Sequence, residues 1–147
     1  MNEKVISGIA IAVISVLIPY IITIMMSGKA YDGSDKMKKI DSGKDIIIKI
    51  DGENRIIDVE QYIAGVLAGE ADMNAGDDVL QAQAVILRTE IYYLMADKDI
   101  LDSALLNHTY YTYEDCQKMW GRDECEEYLS RIENAVMATL GKTENSN

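Results

Sequence analysis

The sequence predicts an α+β protein with an N-terminal transmembrane helix, a polar tether and a small helix-rich domain that begins with a β-hairpin. Three observations lead to this prediction. Residues 5–26 form an uncharged apolar run, residues 46–57 hold two isoleucine-containing runs around an Asp-Gly turn signal, and residues 58–96 carry apolar side chains at helical spacing. We expect a short tail at 1–4, the membrane anchor at 5–26, the tether at 27–43 and one domain at 44–147.

The apolar run is long enough to cross a bilayer as a helix. A cleaved signal peptide is the alternative, although its apolar region usually has only about 7–15 residues. We therefore expect a single-pass membrane protein. More lysines follow the run, between Lys29 and Lys39, than precede it, where Lys4 stands alone. The positive-inside rule applied to these lysines favours a cytoplasmic domain.

The charge of the chain excludes one class of partner. The formal net charge is −11 at pH 7, and such a surface repels the phosphates of nucleic acids. The chain has two cysteines, which are too few for a disulfide framework. We expect no nucleic-acid partner.

The first predicted helix of the domain follows the hairpin. Val59, Ile63, Val66 and Glu70 are spaced so that they share one face of a helix, and Asp58 is suited to be its N-cap. The face is apolar except at its end. Glu70 is therefore a carboxylate at a position where an apolar side chain is expected.

A second helix is expected to run to about Ala96, with Asp77 or Asp78 as its N-cap. Its buried face should hold Leu80, Ala84, Leu87, Ile91 and Leu94. Gln81 and Arg88 lie along a neighbouring stripe and can face one cleft. Residues 97–112 are expected to form a loop with a short strand, and two more helices are expected at 113–120 and 123–140, separated by Gly121.

Glu70 is a candidate acid catalyst for glycosidic bond cleavage. Such a catalyst must keep its proton near neutral pH, and apolar surroundings favour the protonated form. The C-terminal end of a helix also disfavours a negative charge. The alternative from the residue pattern alone is a partly exposed glutamate at a helix end.

Several short motifs together resemble the SpoIID/LytB family over residues 57–142. The motifs contain Tyr62, Gly65, Val66 and Glu70 in the first helix, Gln81, Ala84, Arg88 and Thr89 in the second, then His108, Tyr110 and finally Met119, Trp120 and Gly121. The resemblance implies a membrane-anchored lytic transglycosylase that acts on peptidoglycan glycan strands outside the cytoplasm. It also implies partners in sporulation, such as a cell-wall amidase and other engulfment proteins.

The same resemblance implies roles for particular residues. Glu70 would protonate the glycosidic bond and then assist attack by the sugar's own 6-hydroxyl, which gives a 1,6-anhydro end. Arg88 would steady the substrate or orient Glu70, and its alternative is a flank arginine with no such role. Gln81 and Tyr110 would bind substrate, although the tyrosines are also suited to core packing.

The chain departs from the family pattern at three places. Family members carry lysine where this chain has Gln81, carry glutamine where it has Thr109, and continue well past the segment that ends near Gly141. We therefore expect a short member that lacks the C-terminal part of the domain. The alternative function is a non-catalytic peptidoglycan-binding or scaffold protein.

His108, Cys116 and Cys125 form a separate candidate site. They could offer three ligands to Zn²⁺ with a fourth position open to water, and the resemblance to some family members favours such a site. A Cys116–Cys125 disulfide and two free structural thiols are the alternatives. A zinc-dependent regulator or a redox-sensitive module is therefore a third possible function.

Overall fold

The computed structural model describes residues 40–144, which form four helices and one three-stranded sheet. In chain order the elements are β1 (Asp45–Ile50), β2 (Glu53–Asp58), α1 (Val59–Glu70), α2 (Asp77–Met95), β3 (Ile100–Asp102), a single 3₁₀ turn (Ser103–Leu105), α3 (Tyr113–Trp120) and α4 (Arg122–Ala138). The α+β prediction and the helix-rich composition of the domain are confirmed.

The predicted hairpin is present as β1 and β2. The strands are antiparallel with Ile50 opposite Glu53, so Asp51 and Gly52 form a two-residue turn. Both have positive φ, 51° and 85°, as a type I′ turn requires. On the other side β1 pairs in parallel with β3, which gives the sheet order β2-β1-β3.

Helix α1 is the centre of the domain. It contacts both other long helices, α3 and the sheet, and every residue from Val59 to Ala68 is buried. Asp58 caps it as predicted, since its carboxylate accepts a hydrogen bond from the Glu60 N–H at 2.7 Å. The sequence predicted only one apolar face, whereas the helix is covered on all sides down to its last turn.

Helix α2 differs from the prediction in two details. Its N-cap is Gly76, which makes no side-chain capping bond, because Asp77 lies inside the first turn and pairs with Arg131 at 2.8 Å. The buried face ends with Met95 instead of Leu94, whose exposed fraction is 41%. The remaining predicted members of that face, Leu80, Ala84, Leu87 and Ile91, are buried as predicted.

Helices α3 and α4 close the domain over α1. Thr112 and Asp115 form a capping box at the start of α3, and Gly121, with φ of 80°, separates the two helices. Arg131 of α4 donates to the carbonyl oxygens of Met73 and Ala75 at 2.8 and 2.9 Å. These bonds fix the α1–α2 connection against α4.

The predicted anchor at 5–26 and most of the predicted tether at 27–43 lie outside the described residues. At the beginning of the described part, Ile40 packs against the core and Ser42 donates two hydrogen bonds to Asp58, at 2.6 and 2.8 Å. Within residues 40–144, no helix is both long and apolar enough to cross a membrane.

Candidate functional site

Glu70 is the last residue of α1, at the point where the helix leaves the core. Its side chain is 42% exposed, because the apolar cover of α1 ends at Ala68. Both carboxylate oxygens lie 3.1 Å from Nδ1 of His108. Glu70 is therefore not in the apolar environment that the sequence predicted, and its carboxylate contacts an imidazole instead.

His108 lies between two carboxylates. Its Nδ1 faces Glu70, and its Nε2 lies 3.0 Å from Oε2 of Glu90 on α2. Ionised carboxylates only accept hydrogen bonds, so a ring that bonds both of them donates from both nitrogens and carries a positive charge. The arrangement joins the C-terminal end of α1 to the middle of α2 through one side chain.

The surroundings of His108 favour its charged form. Burial of the ring acts against the charge, but the hydrogen bonds to Glu90 and Glu70 and their negative charges outweigh burial and raise the pKa of His108 above its usual 6.5. Because the folded pKa is the higher one, this ring stabilises the fold fully below about pH 6.5. That contribution is lost as the pH rises through the folded pKa.

This shift can be measured directly, because His108 is the only histidine of the chain. We expect the imidazole proton resonances to titrate at a higher pH in the folded protein than in urea. Glu70→Gln should lower the folded midpoint, since it removes one of the two carboxylates. A folded midpoint at or below the unfolded one would contradict the double contact.

Two glycines of α1 hold the segment that carries His108. The ring of Tyr110 lies against Gly65 and the ring of Tyr111 against Gly69, so closely that a Cβ at either glycine would overlap the ring. The Tyr111 N–H also donates to the Gly65 carbonyl at 3.1 Å. Consecutive tyrosines thus dock on one face of α1 and bring His108 to its end.

A cleft of about 610 Å³ borders His108. Its volume is in the range typical of small-ligand sites. Glu70 does not line this cleft itself and adjoins it through His108. The lining comes from β1, β2, α1, the end of β3 and the segment that follows it: Ile47, Ile48, Lys49, Ile50, Asn54, Tyr62, Asp102, Ser103, Ala104, Leu106, His108, Thr109 and Tyr110.

Tyr62 forms the inner wall of the cleft. Its ring stacks on Tyr110 with centroids 5.9 Å apart and planes 11° apart. Its hydroxyl is buried and has no hydrogen-bond partner among residues 40–144. Burial, and then the negative charges of Glu70 and Glu90, raise the pKa of Tyr62 to about 12. The phenol therefore stays protonated and remains a potential donor.

Arg88, predicted to orient Glu70 or steady substrate, is fully buried, and its guanidinium is hydrogen-bonded inside the core. Its Nε and Nη2 donate to the two carboxylate oxygens of Glu60 at 2.8 and 2.6 Å. Its Nη1 donates to the Lys142 carbonyl at 3.0 Å, and Nη2 lies 3.4 Å from the Val136 carbonyl. The structure thus places Arg88 between the first turn of α1 and the end of α4, with its side chain bound there.

The two predicted substrate-binding residues have different positions. Tyr110 lines the cleft as expected. Gln81 lies half-buried on α2, and it is not among the described residues that line the cleft. The structure therefore brings together Glu70, His108 and Tyr110, and it leaves Gln81 outside that group.

The predicted zinc ligands are not brought together. His108 uses both ring nitrogens on carboxylates, whereas Cys116 and Cys125 are fully buried and do not form the alternative disulfide with each other. Burial raises the pKa of the Cys116 thiol to about 12. Within residues 40–144, no three His, Cys, Asp or Glu side chains are grouped to hold a metal ion. The arrangement does not fit a zinc site.

Sequence reasoning missed two glutamates. Glu60 forms the buried ion pair with Arg88. An acidic residue in the first turn of a largely apolar helix could have indicated it. Glu90 follows Arg88 by two positions, which places it about 200° around the helix and so on nearly the opposite side. That offset could have indicated that Arg88 and Glu90 serve different parts of the molecule.

Comparison with known proteins places the chain in a family. The sequence profile of SpoIID, described as stage II sporulation protein, matches residues 52–143. Stage II sporulation protein D of Bacillus amyloliquefaciens is 32% identical over 94 residues, and that of Bacillus subtilis (strain 168) is 31% identical over 94 residues. Each match covers 58% of this chain and 27% of the relative. Because the profile matches more than half of the chain and contains Glu70, His108 and Tyr110, the chain belongs to the SpoIID family of stage II sporulation proteins.

Proposed function

We propose that this chain acts on peptidoglycan glycan strands as a membrane-anchored lytic transglycosylase, with Glu70 as its general acid and base. The observation that supports this most is the position of Glu70. Its carboxylate is half-exposed at the end of a buried helix and is held by His108 beside an open cleft. A carboxylate that is fixed and also reachable from solvent meets the geometric need of an acid catalyst.

The chemistry requires one carboxyl group in two successive roles. Glu70 takes a proton from Nδ1 of the charged His108, 3.1 Å away, and gives it to the oxygen between N-acetylmuramic acid and N-acetylglucosamine as the glycosidic bond breaks. Its carboxylate then takes the proton of the 6-hydroxyl as that oxygen bonds to the anomeric carbon, which closes the 1,6-anhydro ring. The scheme needs no second catalytic carboxylate, and Glu90 lies on the other side of His108, 3.0 Å from Nε2.

The cleft supplies surfaces suited to sugar rings. Tyr110 offers an aromatic face, and Tyr62 offers a buried hydroxyl that no other described residue bonds. Lys49, Asn54 and Ser103 add polar groups to the lining. Sugars combine apolar ring faces with hydroxyl and amide groups, so a mixed lining of this kind suits them. We propose this cleft as the site that positions the strand next to Glu70.

The expected setting of this activity follows from the substrate. Peptidoglycan lies outside the cytoplasm, so the domain would be extracytoplasmic, with residues 5–26 as a single-pass anchor in the cell membrane. In sporulation such a protein would work beside a cell-wall amidase and other engulfment proteins.

Product analysis tests the proposal. Peptide-free glycan strands are incubated with the full-length protein and with Glu70→Gln, and the fragments are identified by mass spectrometry. We expect 1,6-anhydro ends from the native protein and a rate about 10²- to 10⁴-fold lower from the variant, which is the usual contribution of general acid–base catalysis. Glu127→Gln, on the exposed surface of α4, makes the same charge change and should cleave normally.

Equal cleavage by the native protein and Glu70→Gln would contradict the role of Glu70. A folded native protein that binds strands without cutting them would instead support the second candidate, a non-catalytic glycan-binding or scaffold protein. One observation favours that candidate, because the cleft is lined by β1 and the segment around His108 and not by Glu70 itself. In that case Glu70→Gln should bind strands as tightly as the native protein.

A further inference from the structure

Glu90 is the part of the candidate site that neither the motifs nor the family assignment indicated. It lies on the side of α2 away from Arg88, its side chain is 42% exposed, and its Oε2 lies 3.0 Å from Nε2 of His108. The ring is itself only 19% exposed. A partly buried imidazole with a carboxylate on each nitrogen has little freedom to rotate, since rotation would break both hydrogen bonds.

The two contacts of His108 have different consequences. In an imidazole, the hydrogen-bond partner of one nitrogen influences whether the other nitrogen carries a proton. A carboxylate on Nε2 keeps the proton of that nitrogen in place. The nitrogen that can exchange a proton with its surroundings is then Nδ1, which lies at equal distance from both oxygens of Glu70.

We infer that Glu90 is a positioning residue for Glu70, acting through His108. By accepting the Nε2–H it keeps Nδ1 facing Glu70, and its negative charge favours the form of the ring that carries a proton on Nδ1 as well. Nδ1 of the charged ring passes its proton to Glu70, which gives it to the glycosidic oxygen as that bond breaks. The proton of the 6-hydroxyl then returns through Glu70 to Nδ1, so the site regains its starting state without another reactant. This inference rests on the proposed function of Glu70.

Glu90→Gln is the informative substitution. Glutamine has the same length and can still accept from Nε2, so a merely structural role of Glu90 would be preserved, whereas its charge is removed. Glu144→Gln is the matched control, because Glu144 lines the same surface depression as Glu90, and its backbone N–H bonds the hydroxyl of Thr89 at 2.9 Å. That variant removes an identical charge nearby without touching His108.

Two measurements on the full-length protein are compared at one neutral pH. The first is the ¹⁵N spectrum of the single imidazole, which distinguishes a ring protonated at both nitrogens from a neutral tautomer. We expect the doubly protonated pattern in the native protein and in Glu144→Gln, and a shift toward a neutral tautomer in Glu90→Gln. The second is strand cleavage, where we expect kcat of Glu90→Gln to fall about tenfold or more with KM unchanged.

The outcomes separate this inference from the proposed function. An unchanged imidazole spectrum in Glu90→Gln would overturn the inference whatever the activity. A changed spectrum with full cleavage would also overturn it, because His108 would then not matter to Glu70. If the native protein cuts no strand, the proposed function fails, and the spectrum alone decides whether Glu90 fixes the ring.

Discussion

Arg88→Met is expected to lower the free energy of unfolding by about 3–5 kcal/mol, the usual effect of removing one partner from a buried ion pair. Arg88 and Glu60 are both 0% exposed. The variant leaves the Glu60 carboxylate without its partner inside the core. It also removes the donor that bonds the Lys142 and Val136 carbonyls, so the end of α4 loses its connection to α2.

Urea unfolding followed by circular dichroism measures this effect. The control is Asp77→Asn, which breaks an ion pair with Arg131 in which the aspartate is 67% exposed, and such pairs contribute only about 0–1 kcal/mol. Combining Arg88→Met with Glu60→Met should recover much of the loss, since buried pairs can often be replaced by apolar side chains of similar size. A loss below about 1 kcal/mol for Arg88→Met alone would contradict the buried pair.

This pair also illustrates what sequence periodicity can predict. The spacing of Val59, Ile63 and Val66, and of Leu80, Ala84 and Leu87, determined both helices because residues three, four and seven apart share a face. The Asp-Gly signal located the hairpin because only a few residue pairs accept two positive φ angles. These are local properties of the chain.

The contacts that the sequence did not predict join residues that are far apart in the chain. Glu60 and Arg88 are 28 positions apart and Glu70 and His108 are 38 apart, and no helical or strand period relates such positions. Periodicity placed Arg88 on a flank of α2, but whether that flank faces a cleft or the core depends on how α4 packs. The motif resemblance included both Glu70 and His108, but His108 was assigned to a separate candidate zinc site, so its contact with Glu70 was not predicted.

The exposure of Glu70 has a similar explanation. Its spacing correctly put it on the stripe of Val59, Ile63 and Val66, but a stripe is buried only as far as other elements cover it. The cover ends at Ala68. The apolar environment predicted for Glu70 is therefore absent from the described structure, and the carboxylate contacts His108 instead.

Gly69→Ala is expected to destabilise the protein by about 1–3 kcal/mol, which is typical when an added group overfills a packed site. A Cβ at this position would overlap the ring of Tyr111, and the ring must then move away from α1. Because Tyr111 follows His108 by three residues, its displacement should also weaken the contact between His108 and Glu70. Strand cleavage should fall together with stability.

The sign of the stability change shows whether the ring of Tyr111 lies against Gly69. In an unobstructed helix, alanine is more favourable than glycine by about 0.5–1 kcal/mol, so Gly69→Ala would stabilise α1 if the ring were not there. Tyr111→Ala provides the control background. In that background Gly69→Ala should become neutral or stabilising, and the difference between the two backgrounds measures the coupling between the helix face and the ring. If Gly69→Ala stabilises the protein with Tyr111 present, the docking of the tyrosine on α1 is wrong, and the position of His108 beside Glu70 must have another cause.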